Sequence, residues 1–132
     1  MISEALKSEM AAQVRNGVDY LEEKIGSWYN HINVGNLDMS STTDDIAGQL
    51  QRKLGGRGNF WDFLVSLEVV EYKDYLNDDW RDRYISIAAN FGLTLEQLTT
   101  RNEKQRDDMW DYLQELWIKQ IAERKLLAPV VK

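Results

Sequence analysis

Residues 27–50, SWYNHINVGNLDMSSTTDDIAGQL, contain the end of one helix, a link and the start of another helix. Trp28 and Ile32 lie four residues apart, and residues with this spacing share a face of a helix. The asparagine and glycine residues that follow break that helix, and apolar and polar residues then alternate. This pattern predicts an extended link near residues 33–39.

The apolar residues of this stretch predict a contact between the link and the core of the protein. Trp28 and Ile32 are expected to close over Leu37 and Met39, which alternate along the link. Gln49 lies on an otherwise apolar helix, and its amide can both donate and accept hydrogen bonds. We therefore expect Gln49 to satisfy backbone groups of the link.

Asp38 and Ser40 give the link a second, functional interpretation. An aspartate side chain commonly bonds nearby backbone amides, which predicts an Asx-turn at Asp38. The alternative is that the surface from Asp38 to Ser40 is exposed and contacts a partner.

The helix that follows the link has several candidate starts. Ser40, Ser41 and Thr42 can each act as its N-cap. Asp44 and Asp45 would then fall in the first turn, where carboxylates complement the helix dipole. Its apolar face is formed by Ile46, Leu50 and Leu54.

A longer helix is predicted over residues 3–25, before a short helical turn that Ser27 opens and that ends at Ile32. Ser3 can cap its start, and Gly26 suits the position just after its end. Gly17 is expected to weaken the helix and to kink or split it. Its apolar residues recur at steps of three or four: Leu6, Met10, Val14, Val18, Leu21 and Ile25.

The middle of the chain is predicted to contain a loop, a short helix, a segment of ambiguous structure and a further helix. Residues 55–59, GGRGN, form a loop, and residues 60–67 form a short helix. Residues 69–77 permit either a strand or a helical continuation. A further helix starts at Asn77 or Asp78.

Two more helices are predicted from their capping residues. Gly92 ends the helix before it, and Thr94 with Gln97 forms a capping box for the next. The last helix runs from Thr100 to near Lys125. Its apolar face contains Met109, Trp110, Leu113, Leu116, Trp117 and Ile121, with Gln120 among them.

These elements predict an all-α protein. We expect one compact domain of five to seven helices over residues 1–127, several of them short, followed by a tail at residues 128–132. The chain has 132 residues, a length typical of a single domain.

Composition and charge exclude several kinds of site. The chain has no cysteine and a single histidine, so disulfides, thiolate metal sites and a multi-histidine zinc site are excluded. The net charge is −6, and the halves before and after Ser66 each carry −3. Without a basic region, bulk attraction to nucleic acid is not expected. The sequence predicts neither a secretory signal nor a membrane span, and the absence of cysteine permits a location in a reducing cytoplasm.

The titratable residues do not form a recognisable catalytic or metal-binding motif. Adjacent carboxylates such as Glu22 and Glu23 point about 100° apart on a helix and cannot easily share a proton. His31 lacks a neighbouring motif that would orient a nucleophile, and we interpret it as structural. We therefore predict no enzymatic activity, no metal and no cofactor.

Aromatic residues are abundant for a chain of this size. Five tryptophans, six tyrosines and three phenylalanines can exceed what one small core holds, and the surplus would line an interface. Trp80, Trp110 and Trp117 are candidate partner contacts on this basis. Self-association into a homodimer through Trp110 and Trp117 is a further hypothesis.

Residues 88–101, AANFGLTLEQLTTR, give an alternative interpretation. They have the shape of a helix-turn-helix, and Arg101, Lys104 and Arg106 would be its DNA-binding residues. Aspartates beside these three leave the region without a basic balance. A glycine C-cap followed by a stapled helix explains the same residues, so we prefer the structural interpretation.

The quoted stretch resembles a signature of small proteins of actinobacteria and their phages. The resemblance is carried by Trp28 with Ile32, residues 37–40 (LDMS) and residues 48–50 (GQL). It covers residues 18–67 well and the rest loosely, with further matches at Phe60, Leu67, Leu113, Trp117 and Ile121. Many relatives carry a cysteine and larger apolar residues where this chain has Asp45, Ile46 and Ala47.

The resemblance implies a phage or prophage protein of the host cytoplasm without an assigned reaction. Together with the acidic, aromatic-rich helical composition, it predicts a non-enzymatic accessory protein that binds another protein, with a host factor as one candidate. The DNA-binding regulator that uses residues 88–106 is the alternative function.

Overall fold

The computed structural model describes residues 2–41, 44–53, 86–95 and 103–127, and all structural statements concern these residues. Its helices are α1 (Glu4–Lys24), α2 (Ile46–Lys53) and α3 (Glu103–Leu127), with two 3-10 helices between α1 and α2. These are η1 (Trp28–His31) and η2 (Val34–Asn36), and residues 86–90 are also helical. No strand occurs in the described part, so the all-α class is confirmed.

Both ends of α1 follow the predicted capping. The Ser3 hydroxyl accepts a hydrogen bond from the Leu6 N–H at 3.1 Å. Gly26 has a φ of 80°, and its N–H donates to the carbonyls of Leu21 and Glu22 at 3.2 and 3.1 Å. A left-handed glycine of this kind satisfies carbonyls that the helix end leaves free. The predicted apolar face is buried at Met10, Val14, Val18 and Leu21 and half-buried at Leu6 and Ile25.

Helices α1 and α3 pack against each other and run in the same direction. The Lys7 ammonium lies 5.7 Å from the centre of the Tyr112 ring. Further along both helices, the Nε of Arg124 lies 2.6 Å from an oxygen of Glu22. That Nε has no aligned hydrogen-bond acceptor among the described residues, so the contact is an ion pair. The parallel pairing brings together helices separated by most of the chain.

The turn at Phe91 and Gly92 lies against the middle of α1. A Cβ atom added at Gly17 would lie 1.9 Å from the Phe91 carbonyl oxygen. Gly92 has a φ of 66°, and a Cβ there would lie 2.7 Å from the Cα of Val14. Gly92 therefore ends the preceding helix as predicted. The prediction that Gly17 kinks or splits α1 is wrong: the helix is continuous, and the missing side chain makes room for the turn.

Trp117 connects this turn to the rest of the core. Its side chain is fully buried, and its indole N–H donates to the Gly92 carbonyl at 2.7 Å. Its ring meets Trp28 edge to face, with centroids 5.5 Å apart and planes at 88°. The indole N–H of Trp28 is also buried but has no hydrogen-bond acceptor in the described part of the chain. Trp117 thus holds α3, η1 and the turn in one cluster.

The apolar face predicted for α3 points into this core. Met109, Leu113, Trp117 and Ile121 are buried, and Trp110, Leu116 and Gln120 are half-buried. Within the described helices, none is long and apolar enough to cross a membrane. Other predictions lie outside the described residues, including the loop at 55–59, the helix at 60–67, residues 69–77, the starts at Asn77 or Asp78 and at Thr100, Gln97 of the capping box and the tail at 128–132.

Replacing Gly17 with alanine tests the contact between α1 and the turn. Alanine favours an isolated helix by about 1 kcal/mol over glycine. We nevertheless expect Gly17→Ala to lower the free energy of unfolding by about 2 kcal/mol, because the new methyl group overlaps the Phe91 carbonyl. Urea denaturation measures the change. Ser8→Ala, at an exposed position of the same helix, is the control and should differ from wild type by less than about 0.5 kcal/mol. A stabilising Gly17→Ala would contradict the contact.

Replacing Trp117 with phenylalanine tests the indole hydrogen bond. Phenylalanine keeps an aromatic ring but leaves the Gly92 carbonyl unpaired and a small void behind. We expect a loss of about 2 to 3 kcal/mol in the free energy of unfolding. Trp110→Phe, at a half-buried position of the same helix, should cost less than about 1 kcal/mol. Equal losses in the two variants would show that the hydrogen bond contributes little.

Candidate functional site

Residues 32–41, which we call the clasp, present a polar surface on a buried apolar base. Ile32 and Leu37 are 5% exposed and Met39 is 2% exposed, and all three belong to the same core as Trp28. Asp38 and Ser40 alternate with them and are exposed. The predicted closure of Trp28 and Ile32 over the link is therefore confirmed.

The backbone of the clasp is extended on either side of a short 3-10 helix. Asn33 and Leu37 have extended conformations, with ψ values of 102° and 124°. Between them, Val34–Asn36 forms the 3-10 helix η2. The Asn33 side chain accepts a hydrogen bond from the Gly35 N–H at 3.0 Å, and this local bond stabilises the turn. The prediction of an extended link near residues 33–39 is therefore wrong at Val34–Asn36.

Gln49 fastens the clasp to α2 through both ends of its amide. Its oxygen accepts from the Asn33 N–H at 2.7 Å, and its nitrogen donates to the Asn33 and Asp44 carbonyls at 3.2 and 3.1 Å. Gln49 is 4% exposed, so water does not compete freely for these groups. The predicted role of Gln49 in satisfying the backbone of the link is confirmed.

Gln114 of α3 fastens the other side of the clasp, and sequence reasoning missed it. Its side-chain oxygen accepts from the Met39 N–H at 3.2 Å. The neighbouring Asp38 N–H donates to the Asp44 carbonyl at 3.1 Å. The only sequence signal was a glutamine next to the core residue Leu113, a pattern common on the flanks of helices.

Asp38 and Ser40 form the polar surface of the clasp. One oxygen of Asp38 accepts from both the Ser40 N–H at 3.0 Å and the Ser40 hydroxyl at 2.6 Å. The predicted Asx-turn is therefore confirmed. The backbone beneath this pair is held on both sides, by Gln49 at Asn33 and by Gln114 at Met39, and both side chains are exposed to solvent.

The N-cap of α2 differs from the prediction. The helix starts at Ile46, and an oxygen of Asp45 accepts from the Gly48 N–H at 2.6 Å, the bond expected of an N-cap side chain. Ser40 instead bonds Asp38, and the Ser41 hydroxyl accepts from the Asp44 N–H at 3.2 Å in the turn before the helix. Thr42 lies outside the described residues.

Asp45 is a strongly perturbed titratable group at the start of α2. Burial raises the pKa of its carboxyl from 3.8 to about 7. The nearby carboxylates of Asp44 and Asp38 also raise this pKa, whereas hydrogen bonds from the Gly48 N–H and its own N–H lower it. Asp44 itself pairs with Arg52 at 3.4 Å near the surface.

The structure separates the residues predicted to contact a partner. Asp38 and Ser40 lie together on the clasp, and Trp110 is half-buried on α3. Trp117 is fully buried, so it belongs to the core and not to a surface that a partner or a second copy could contact. Trp80 lies outside the described residues.

The residues of the DNA-binding alternative are only partly described. Lys104 and Arg106 are exposed near the start of α3, and Arg101 lies outside the described residues. Gly92, the turn residue of that alternative, is buried against Val14 and bonded by Trp117. Packing inside the domain therefore accounts for this glycine.

The polar groups of the clasp are suited to hydrogen bonding and ion pairing. His31 is exposed at the end of η1. Across the described ranges, no group of three histidine or acidic side chains could hold a metal ion. Asp38 and Ser40 together can accept and donate hydrogen bonds and can pair with a cationic group.

Comparison of the chain with known protein families, curated proteins and solved structures gave no match. The resemblance to small actinobacterial and phage proteins therefore stays a prediction. The fold and the site rest on the contacts described above.

Replacing Gln49 with alanine tests how the clasp is fastened. The change leaves the Asn33 N–H without its acceptor and removes one of the two hydrogen bonds that the Asn33 and Asp44 carbonyls each accept, so we expect a loss of about 2 kcal/mol in the free energy of unfolding. Urea denaturation measures it. Gln13→Ala, at a half-buried position of α1, removes the same side chain and should cost less than about 1 kcal/mol. A loss no greater than that of the control would contradict the role of Gln49.

Proposed function

We propose that this chain is a non-enzymatic phage or prophage accessory protein that acts by binding another protein, with a host factor as one candidate. The observation that carries the proposal is the fixed, exposed pair of Asp38 and Ser40 on a clasp held by Gln49 and Gln114. The phage origin and the expected location in the host cytoplasm are supported by the resemblance of residues 18–67 alone.

The rigidity of the clasp supports a binding role on physical grounds. Ordering a flexible surface on association costs about 0.5 to 1.5 kcal/mol per side chain. In the clasp much of that ordering is present before binding, because Leu37 and Met39 are buried and the Asp38 oxygen is already engaged with Ser40. A partner therefore meets groups whose positions are already set.

Charge indicates the chemistry of the partner. The chain carries a net charge of −6, and Asp38 is exposed close to the half-buried Asp44. A basic face on the partner would be steered towards this surface and could pair with the Asp38 carboxylate. The half-buried Trp110 is a second candidate contact, and a homodimer through this part of α3 belongs to the same proposal.

The remaining parts of the proposal depend in part on residues outside the described ranges. We expect a single domain of five to seven helices over residues 1–127. A DNA-binding regulator that uses residues 88–106 is the alternative function, and the acidic net charge argues against it.

Affinity capture with a matched pair of variants tests the proposal. Tagged wild-type protein, Asp38→Ala/Ser40→Ala and the control Ser8→Ala/Glu9→Ala are each incubated with actinobacterial lysate. The control removes one hydroxyl and one carboxylate from exposed positions of α1. We expect wild type and control to capture the same protein and the clasp variant to lose at least about tenfold of it, which corresponds to about 1.4 kcal/mol.

Two outcomes would count against this function. Capture of no specific protein by the wild type under mild salt would contradict protein binding. Retention on duplex DNA at about 50 mM salt that falls steeply at higher salt would favour the regulator. Equal capture by all three proteins would show that the binding surface lies outside the Asp38 and Ser40 pair.

A further inference from the structure

Asp45 combines burial, an N-cap bond and two acidic neighbours at the point where the clasp meets α2. Its side chain is 3% exposed, and its oxygen lies 2.6 Å from the Gly48 nitrogen. The next residues of the helix, Ile46 to Gln51, are all buried. A buried carboxyl group at this position is either kept neutral by a proton or carries a poorly solvated charge.

We propose that the clasp is a proton-controlled latch, closed when the Asp45 carboxyl carries its proton and loosened when that proton is lost. Loss of the proton creates a buried negative charge beside Asp38 and Asp44. The peptide groups that fasten the clasp to α2 belong to this same region, because Gln49 and Asp38 both bond the Asp44 carbonyl. Repulsion between the ionised Asp45 carboxylate and those of Asp38 and Asp44 therefore weakens the hydrogen bonds that hold the clasp to α2.

The charged groups around Asp45 do not compensate the negative charge that its carboxylate carries when ionised. The clasp contributes Asp38, and the turn before α2 contributes Asp44, whose carboxylate already pairs with Arg52. The helix η1, which packs against α2, carries Tyr29 and His31 as its titratable residues. Helix α3 contacts the clasp through the neutral Gln114. Among the described residues, no basic side chain forms an ion pair with Asp45.

The direction of the pH dependence follows from the pKa of Asp45 in the two forms. Below the ordinary value of 3.8, both the closed and the open form carry the proton. As the pH rises from there to about 7, the open form gives up its proton while the closed form retains it. Each pH unit in this window favours opening by at most about tenfold, and the effect levels off above the window.

Amide hydrogen exchange measured by NMR tests the latch in the intact protein. The reporters are the amides of Asn33, Asp38 and Met39, which bond Gln49, Asp44 and Gln114. After correction for intrinsic exchange, we expect their opening constants to rise at least about tenfold between about pH 5 and about pH 7, and then to level off. The amides of Val14 and Val18 in α1 should change by less than about twofold.

Two variants isolate the proton on Asp45. Asp45→Asn keeps an N-cap acceptor but cannot ionise, so its clasp amides should lose the pH dependence. Glu9→Gln removes a carboxylate from an exposed position of α1 and should retain the wild-type profile. A wild-type profile in Asp45→Asn would overturn the proposal, and so would α1 amides that open in parallel with the clasp, because the change would then be global.

Direct titration of the Asp45 carboxyl by carbon NMR in the wild type gives a second measurement that does not depend on a variant folding. A midpoint that coincides with the amide profile supports the latch. A midpoint near the ordinary value of 3.8 would overturn it.

Discussion

The contact among Gly17, Gly92 and Trp117 is the constraint on which the rest of this fold depends. Two glycines allow the turn at Phe91 to approach α1 more closely than any side chain would permit. The Trp117 indole then pairs with the carbonyl that this approach buries, at 2.7 Å. A buried carbonyl without a partner costs about 1 to 3 kcal/mol, so the close approach and the hydrogen bond depend on each other.

The same tryptophan sets the position of the clasp. Trp117 packs edge to face on Trp28, and Trp28 begins the short helix from which the clasp leaves. Gln114, one turn earlier on α3, bonds the Met39 amide. Helix α3 therefore supplies both the core residue Trp117 and the polar residue Gln114, and these two residues position the clasp that carries Asp38.

Local sequence patterns predicted those features that depend on neighbouring residues, such as helix caps. They did not predict features that depend on contacts between residues distant in sequence. The Ser3 cap, the Gly92 stop and the amide of Gln49 follow from residue type and spacing. Gly17 appears as a helix weakness in sequence, because the turn that needs its empty space comes more than 70 residues later. The N-cap at Asp45 was misplaced by the run of candidate serines and threonine before it, each of which satisfies the same local rule.

The parallel packing of α1 on α3 has a consequence for how the chain reaches this structure. The apolar face of α1 is synthesised before α3, and the helix that covers it is complete only after Leu127 has been added. Contacts between residues so far apart in sequence form slowly, because closing the large loop between them costs conformational entropy before the contacts can stabilise the fold. Until α3 has been synthesised, Met10, Val14 and Val18 therefore stay uncovered by it in the nascent chain, a period in which a chaperone would protect the chain from aggregation.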